Sequence, residues 1–372
     1  MKEICKKDDC TGCWACFNSC PQSSIEMKMD EYGFYFPIID ETRCINCNLC
    51  KKICPSITLQ PLRYPKKALA AISKNAYDYR TATSGGIATS LTKKILSENG
   101  VVYGAVMGEN LEVYHERITL LDETEKLKGA KYVQSLIKDC FLSVKKDLFN
   151  GKRVLFIGTP CQCAGLRSFL RRDYKFLYVC DIICHGVPSI KMLNDHVRDV
   201  VGEREVNKIT FRDKEGYCLS IFNCGKCEYK RKGFLDLFCL GFLKGLFFRE
   251  SCYACKYATG KRIGDLTLGD FWGFDYKKER FPVEIRHGLS LILVNTKQGE
   301  ALLSECADDL ILMQRDIGEA IDGNHQLNAS SSKHKNHDKF MKLYSKYGFK
   351  KAADKTLFVE KIKHWLLVKL GY

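Results

Sequence analysis

Runs of apolar residues alternate with amphipathic stretches through the middle of the chain. "ALAAIS" at 68–73 and "GVVYGAVMG" at 100–108 have the short apolar pattern of buried strands, and "GGIATSLTKKILSE" at 85–98 has a helical period. The same order of strand and helix returns between residues 152 and 201 in "KRVLFIG", "CAGLRSFLRR", "KFLYVCDII" and "SIKMLNDHVRDVV". Strands that alternate with helices predict an α/β layer built on parallel strands.

The pattern changes on both sides of this layer. From about residue 206 it becomes mixed, with strand-like runs in "NKITFRD", "LTLGDFWGF" and "LSLILVNT", and the lysine-rich tail from residue 333 is expected to be helical. Before the layer, "PSITLQPLRYPKK" at 55–67 has three prolines and no period, which is typical of a linker. These changes predict more than one domain.

Composition narrows the class of protein. The chain has 372 residues, 45% hydrophobic and 28% charged, which is typical of a multidomain globular protein. The N-terminal "MKEICKKDDC" lacks the apolar core of a secretory signal, and "FLDLFCLGFLKGLFF" at 234–248 is too short to cross a membrane. We therefore expect a cytoplasmic protein without a transmembrane segment. The net charge of +15 suits an acidic partner, but lysine-rich surfaces are often only solvated.

Twenty-one cysteines in a chain without an export signal indicate metal ligation rather than disulfides, because cytosolic reductants keep thiols reduced. "CTGCWACFNSCP" at 10–21 returns as "CINCNLCKKICP" at 44–55. With this spacing three cysteines of a run bind one 4Fe–4S cluster, and the cysteine before proline binds the other. The predicted ligands are Cys10, Cys13, Cys16 and Cys54 for cluster I, and Cys20, Cys44, Cys47 and Cys50 for cluster II. Zinc is the weaker alternative, since structural zinc sites usually show two pairs of ligands.

The repeat also sets the domain organisation. It defines a two-cluster domain over residues 1–60, which a linker at 61–66 joins to the rest of the chain. We divide the rest into 67–145, 146–325 and a basic helical tail at 326–372. The predicted fold is an α+β ferredoxin-like two-cluster domain, followed by an α/β domain with a mixed C-terminal region.

Four more cysteines stand where strands or helices are predicted to end: Cys161, Cys184, Cys252 and Cys255. Ligands of α/β folds lie at the ends of strands, and four thiolates suffice for a third 4Fe–4S cluster. From spacing alone a second interpretation is equally open. In it, Cys161 and Cys184 are small buried residues, and Cys252 and Cys255 form a zinc knuckle.

Six motifs resemble, in order, those of the family formed by the beta subunits of coenzyme F420 hydrogenases and dehydrogenases. They are "TSGGIATSL", "KGAKYVQS", "GTPCQCAGLRSFL", "ICHGVPS", "FRDKEGY" and "RESCYACKYATGKRIGDLTLGDFWG". The resemblance covers nearly the whole chain and includes the ferredoxin domain that is fused to many members. It implies an iron–sulfur flavoprotein with FAD beside an additional 4Fe–4S cluster, and it favours the third-cluster interpretation. Residues 67–145 then form the N-terminal flavin-binding part, and 146–325 hold the third cluster.

Two of these motifs supply candidates for binding FAD. A Ser-Gly-Gly turn at a helix start presents N–H groups and the positive end of the helix dipole, which suits a pyrophosphate; its residues are Ser84, Gly85 and Gly86. "KGAKYVQS" adds groups for charge and stacking, which are Lys128, Lys131, Tyr132 and Gln134. Without the resemblance the first motif is an ordinary tight turn and the second an exposed strand edge. Ala130 stands where many relatives have serine.

Other residues are expected to support these sites. His185 follows Cys184 and either tunes a cluster, shuttles a proton or simply lies at a helix start. The closing motif is expected to pack around the cluster and flavin through Arg262, Asp265, Asp270 and Trp272. Zinc binding is conceivable for Cys218, Cys224, Cys227 and Cys239, but incidental thiols are the preferred interpretation, and five further cysteines are interpreted as structural: Cys5, Cys140, Cys163, Cys180 and Cys306. The last helix, with Trp365, is expected to dock on the body or on a partner protein rather than on a membrane.

These features predict an oxidoreductase. A redox partner protein supplies single electrons, the clusters carry them to FAD, and a small-molecule acceptor, F420 or another organic substrate, receives a hydride. No catalytic side chain is assigned. The alternative is an electron-transfer subunit of a larger complex with no substrate of its own. A zinc-containing nucleic-acid binder is disfavoured, because no recognition signature accompanies the positive charge.

Overall fold

The computed structural model describes residues 2–213, 216–277 and 279–369, and side chains up to residue 363. The described chain consists of a small N-terminal unit, an eight-stranded sheet covered by helices, a three-stranded sheet and a helical tail. The strands, in chain order, are β1 (Ile25–Met29), β2 (Tyr35–Ile39), β3 (Lys67–Ser73), β4 (Val101–Met107), β5 (Val113–Ile118), β6 (Val154–Gly158), β7 (Leu177–Ile182), β8 (Lys208–Asp213), β9 (Gly216–Asn223), β10 (Lys226–Lys232), β11 (Leu266–Asp270), β12 (Ser290–Val294) and β13 (Leu310–Arg315).

The helices follow the same chain order. They are α1 (Ala15–Ser19), α2 (Leu49–Lys52), α3 (Ala76–Thr81), α4 (Ile87–Ser97), α5 (Thr124–Leu127), α6 (Cys140–Phe149), α7 (Pro160–Leu170), α8 (Ile190–Val201), α9 (Leu237–Leu243), α10 (Glu250–Tyr253), α11 (Lys297–Glu305), α12 (Ile317–Asp322), α13 (His337–Tyr347), α14 (Phe349–Thr356) and α15 (Phe358–Lys369). Among the described helices, none is long and apolar enough to cross a membrane.

The N-terminal unit shows its internal repeat in the backbone. β1 and β2 form an antiparallel hairpin in which Ile25 pairs with Ile39. Each cysteine run ends in a short helix, α1 or α2, and the residue that precedes each helix, Trp14 or Asn48, has a left-handed backbone conformation. The predicted duplication is therefore a duplication of local structure.

The eight-stranded sheet has the order β13-β3-β12-β11-β7-β6-β4-β5. Its central strands β4, β6, β7 and β11 are parallel, as the alternation of strands and helices predicts. The outer pairs are antiparallel, because β5 returns directly after β4 and β12 and β13 flank β3. Strands from 67–145 and from 146–325 thus share one sheet.

Helices cover both faces of this sheet. Val154 and Phe156 of β6 pack in one hydrophobic core with α6 and α7, whereas Leu155 packs in another with α4 and α11. This division follows from the alternation of side chains along a strand. α1 of the N-terminal unit joins the first core through Ala15, so the two units share buried apolar surface.

Beyond the central sheet, β8, β9 and β10 form an antiparallel sheet that shares a core with α8, α9 and the tail helices α13 and α14. The tail is helical, as its composition predicts. The linker is tied to the body, since Arg63 pairs with Arg262 in an isolated bridge. "KGAKYVQS" differs from the expected strand edge: residues 128–135 form a partly buried loop, because their hydrogen bonds go to other loops instead of a neighbouring strand.

Candidate functional site

The cysteines of the N-terminal unit are grouped around two cavities. The cluster II site is a cavity of about 50 Å³ lined by Cys20, Cys44, Cys47 and Cys50. The cluster I site is a cavity of about 20 Å³ lined by Cys10, Cys13, Cys16 and Cys54. These are the groupings that the cysteine spacing predicts, with the cysteine before each proline reaching the other run. Cys47 is exposed whereas Cys10 and Cys13 are buried, so cluster II lies at the surface and cluster I inside.

A fifth cysteine, Cys5, also lines the cluster I cavity. Its thiol forms hydrogen bonds with Cys10 and Cys54, and these hold the pKa of Cys10 at about 6 and that of Cys54 at about 7. The expectation that Cys5 is only structural is incomplete, because the residue contacts two predicted ligands. Thiolates are the form that binds iron, so a donor at this place favours the ligand form of both side chains.

The other four predicted ligands also come together, and we call them the four-thiol site: Cys161, Cys184, Cys252 and Cys255. Cys161 begins α7 directly after β6, Cys184 follows β7, and the other two lie in and just after α10. Burial raises the pKa of Cys161 to about 11 and that of Cys184 to about 12. Each of these two thiols is also affected by the charge of Cys255, so three separate segments share one electrostatic environment.

The cluster I site and the four-thiol site are neighbours. The Cα of Gly165 in α7 faces Cys13 so closely that a Cβ there would lie 3.0 Å from the Cys13 Cβ and 3.1 Å from its Sγ. Cys13 lies within electrostatic reach of Cys161, and the buried ring of Tyr257 lies within reach of both. α7 therefore carries a thiol of one site at its start and packs against the other site one turn later.

A larger cavity of about 340 Å³ lies at the carboxyl ends of the parallel strands. β4, β6, β7 and β11 contribute Ala105, Gly158, Ile182 and Asp270 to its wall. We call it the strand-end cavity; parallel α/β sheets bind ligands at this edge. Thr159 joins it to the four-thiol site, because this residue lines the cavity and its Oγ1 lies 3.2 Å from the Sγ of Cys161.

The Ser-Gly-Gly turn enters this cavity in part. Ser84 and Gly86 line it, and Gly86, with φ of +85°, caps α4 in a conformation that favours glycine. Gly85 faces the protein instead: its N–H donates to Ser290 Oγ at 2.8 Å, and a Cβ would lie 2.2 Å from the carbonyl oxygen of Ala71. The Ser84 hydroxyl is buried without a hydrogen-bond partner among the described residues, so it is free for a ligand.

The "KGAKYVQS" loop sends its residues in two directions. Lys128, Lys131 and Tyr132 line the strand-end cavity. Lys128 pairs with Asp78 and Glu125, whereas Lys131 donates only to the carbonyl oxygens of residues 126, 127 and 128, and burial lowers its pKa to about 7. Gln134 lies elsewhere: its amide donates to Thr11 O at 3.0 Å beside the cluster I site.

Several residues of the cavity wall were not predicted. Arg212 donates to Asp270 at 2.7 Å and to the Tyr132 hydroxyl at 2.8 Å, and it reaches the cavity from the three-stranded sheet. Thr124 lines the cavity with a buried hydroxyl that lacks a partner in the described chain. His115 accepts from Ser135 and donates to Ile157 O, and burial lowers its pKa to about 4, so it is neutral.

The closing motif divides between the cavity and the core behind it. Asp270 and Trp272 line the strand-end cavity, together with His185. Burial lowers the pKa of His185. Arg262 forms a fully buried ion pair with Asp181 at 2.7 Å, and Asp265 accepts a hydrogen bond from the backbone of β7. The zinc alternative gains nothing, since Cys218 and Cys239 are buried while Cys224 and Cys227 are exposed at a hairpin. Across the described residues, no three His, Cys, Asp or Glu side chains form a site for a single metal ion.

Comparison with known proteins agrees with this arrangement. Residues 151–319 match the family model for the C terminus of the beta subunit of coenzyme F420 hydrogenase/dehydrogenase, and residues 9–57 match a 4Fe-4S dicluster domain. The chain carries the C-terminal domain of an F420 hydrogenase/dehydrogenase beta subunit behind a 4Fe–4S dicluster domain. The resemblance seen in the motifs is thereby confirmed, as are the two N-terminal clusters.

Three similar proteins come from species of Methanosarcina and Methanocaldococcus. A subunit of the F420H2 dehydrogenase of Methanosarcina mazei is 23% identical over 84% of this chain and 87% of its own. An uncharacterized ferredoxin of Methanocaldococcus jannaschii is 34% identical over 14% of this chain and 68% of its own. A solved chain from the F420-reducing NiFe hydrogenase complex of Methanosarcina barkeri is 19% identical, with a TM-score of 0.48 over 71% of this chain and 91% of that one.

Proposed function

We propose that this protein is an iron–sulfur flavoprotein oxidoreductase. Single electrons from a redox partner enter at cluster II, pass to cluster I and to a third 4Fe–4S cluster on the four-thiol site, and reach FAD in the strand-end cavity. There they serve the two-electron reduction of an acceptor, coenzyme F420 or another organic molecule.

One observation carries the proposal, namely the spatial order of the sites. Cluster II has an exposed cysteine, cluster I contacts α7 through Cys13, Cys161 of α7 belongs to the four-thiol site, and Thr159 joins Cys161 to the strand-end cavity. Four sites that are sequential neighbours give electrons short steps from the surface to the cavity. A set of unrelated buried thiols has no reason to be ordered in this way.

The residues of the strand-end cavity fit a flavin nucleotide. Flavins exchange both one and two electrons, so FAD supplies the change from single electrons to a hydride. For its phosphates the chain offers the start of the eleven-residue helix α4, the free hydroxyls of Ser84 and Thr124, and the ammonium of Lys131, which has no carboxylate partner. Tyr132, stacked on Phe242 with 4.6 Å between ring centroids, supplies a flat apolar wall.

The chain's own groups also set the conditions inside the cavity. His115 is held neutral by burial, and the only described carboxylate on the wall, Asp270, is neutralised by Arg212. A cavity with a compensated carboxylate and an uncompensated lysine favours an anionic ligand.

A second candidate is an electron-transfer subunit without a substrate of its own. The exposed edge of cluster II supports it, because a surface cluster serves a partner protein in either direction. Reduction of a soluble acceptor by the isolated protein separates the two candidates, since only the first predicts turnover without a partner enzyme.

The first test is the iron and flavin content of the anaerobically purified protein. We expect about twelve iron atoms per chain, from three 4Fe–4S clusters, and one FAD. Cys161→Ala should lower the iron content to about eight. Cys163→Ala is the matched control: it removes a buried thiol two residues away that lies in the apolar core, so iron should be unchanged. Equal iron in both variants, near eight, would refute the third cluster and leave the dicluster domain intact.

A further inference from the structure

Arg249 is a buried cation without a counter-ion in the described chain. Its residue is 1% exposed, and no carboxylate of the described residues forms a salt bridge with it. The adjacent Glu250 contacts Lys333 and His337 instead. Arg262 offers the contrast: it is equally buried, at 1%, but is paired with Asp181. Burying an unpaired charge is costly, so such residues persist where another charge compensates them.

All hydrogen bonds that the guanidinium makes are directed at the N-terminal unit or at the loop that holds it. Nε donates to Cys10 O at 2.5 Å and one terminal nitrogen to Tyr35 O at 2.9 Å. The other donates to Gln134 Oε1 at 3.1 Å, and Gln134 in turn donates to Thr11 O. The guanidinium carbon lies 4.3 Å from the centroid of the Phe36 ring. These acceptors and the ring are neutral, so they orient the charge without cancelling it.

The backbone around Arg249 places this charge between two thiol sites. Arg249 directly precedes α10, which carries Cys252 of the four-thiol site, and its N–H donates to Val187 O. Gly12, with φ of +63°, allows the approach on the other side, since a Cβ there would lie 3.0 Å from the guanidinium. The charge acts on the thiolates of both Cys10 and Cys161. One side chain therefore faces the cluster I site and the four-thiol site at once.

We infer that Arg249 is the positioning residue that compensates the negative charge of cluster I and holds its loop against the body. A 4Fe–4S centre with four thiolates is an anion, and reduction adds one more negative charge. A fixed cation stabilises the reduced form more than the oxidised form and so raises the reduction potential. The effect on cluster I follows from the dicluster domain alone, whereas an effect on transfer to the four-thiol site rests on the proposed function.

The test is an EPR-monitored redox titration of the full-length protein with its clusters. Arg249→Met should lower the equilibrium constant for reducing one cluster about tenfold, which is 59 mV for one electron. The cluster II signal should stay unchanged, because no residue lining that cavity contacts Arg249. Arg249→Lys retains the charge and should shift the potential much less. Arg315→Met is the control, since Arg315 is also largely buried, at 10%, but pairs with Glu319 at the far edge of the sheet.

Unchanged potentials in Arg249→Met, or an equal shift of every cluster, would overturn the inference. If Arg249→Met does not retain its iron, Gln134→Glu decides. It places a carboxylate beside the guanidinium without shortening the side chain, and Gln134→Leu removes the same amide hydrogen bonds without adding charge. A lower cluster I potential in the first than in the second supports the inference, and equal potentials contradict it. These readouts come from iron alone, so they stand even where the flavin proposal fails.

Discussion

Lys131 should make cofactor binding depend on pH. Burial lowers the pKa of this lysine to about 7 in the free protein, and no carboxylate contacts its ammonium, which donates to backbone carbonyls only. A hydrogen bond between a charged donor and a phosphate contributes about 1.5–3 kcal/mol. Each 1.36 kcal/mol corresponds to one pKa unit, so a bound phosphate should raise the pKa of Lys131 to about 8–9.

The sign follows from linkage between proton binding and ligand binding. Below pH 7 the lysine is charged with or without ligand, and affinity for FAD is at its maximum. As the pH rises from about 7 to 9, binding must take up a proton, so the affinity falls by about ten- to hundredfold. Lys131→Met should bind FAD at pH 6 as weakly as the wild-type protein does at pH 9, with no further dependence on pH.

The assay is a fluorescence titration of flavin-depleted protein with FAD between pH 6 and 9. Lys126→Met is the control, because Lys126 is half-exposed and already pairs with Glu116 and Glu123. An affinity that stays pH-dependent in Lys131→Met, or that falls equally in Lys126→Met, would refute the reasoning.

Two further substitutions test the packing that holds the sites. Asp181→Asn leaves Arg262 as an unpaired buried charge and should lower the free energy of unfolding by about 3–5 kcal/mol, measured by denaturant titration; the exposed pair partner Asp354 is the control, and its change to Asn should cost under about 1 kcal/mol. Gly165→Val forces α7 away from Cys13 and should slow flavin reduction by a one-electron donor while the iron content stays constant, with Gly165→Ala intermediate; equal rates in all three proteins would contradict the contact.

The parallel strands and their helices could be predicted from the sequence because their signals are local. "KRVLFIG" and "CAGLRSFLRR" each carry a period and a boundary, and they form β6 and α7 as expected. The groupings of the N-terminal cysteines were predictable for the same reason, since their spacing alone fixes which thiols converge. β5 and β13 were missed, because antiparallel edge strands lack the continuous apolar run of the central ones.

Contacts between distant segments could not be predicted. Gly85 and Gln134 belong to motifs that were assigned to the cofactor, yet Gly85 is bound to Ser290 and Gln134 faces Thr11. Arg212 and Arg249 were not singled out, because each acts through partners far away in sequence. The signal for Arg249 was only its place before Cys252, which says nothing about the loop that it reaches.

The central claim is that electrons reach the flavin through the four-thiol site. Stopped-flow reduction of the bound flavin by a one-electron protein donor, in wild-type protein and in Cys161→Ala with matched flavin content, tests it most directly. The account predicts fast flavin reduction in the wild type and its loss in Cys161→Ala, while both N-terminal clusters are still reduced. Flavin reduction at the wild-type rate in Cys161→Ala would contradict it.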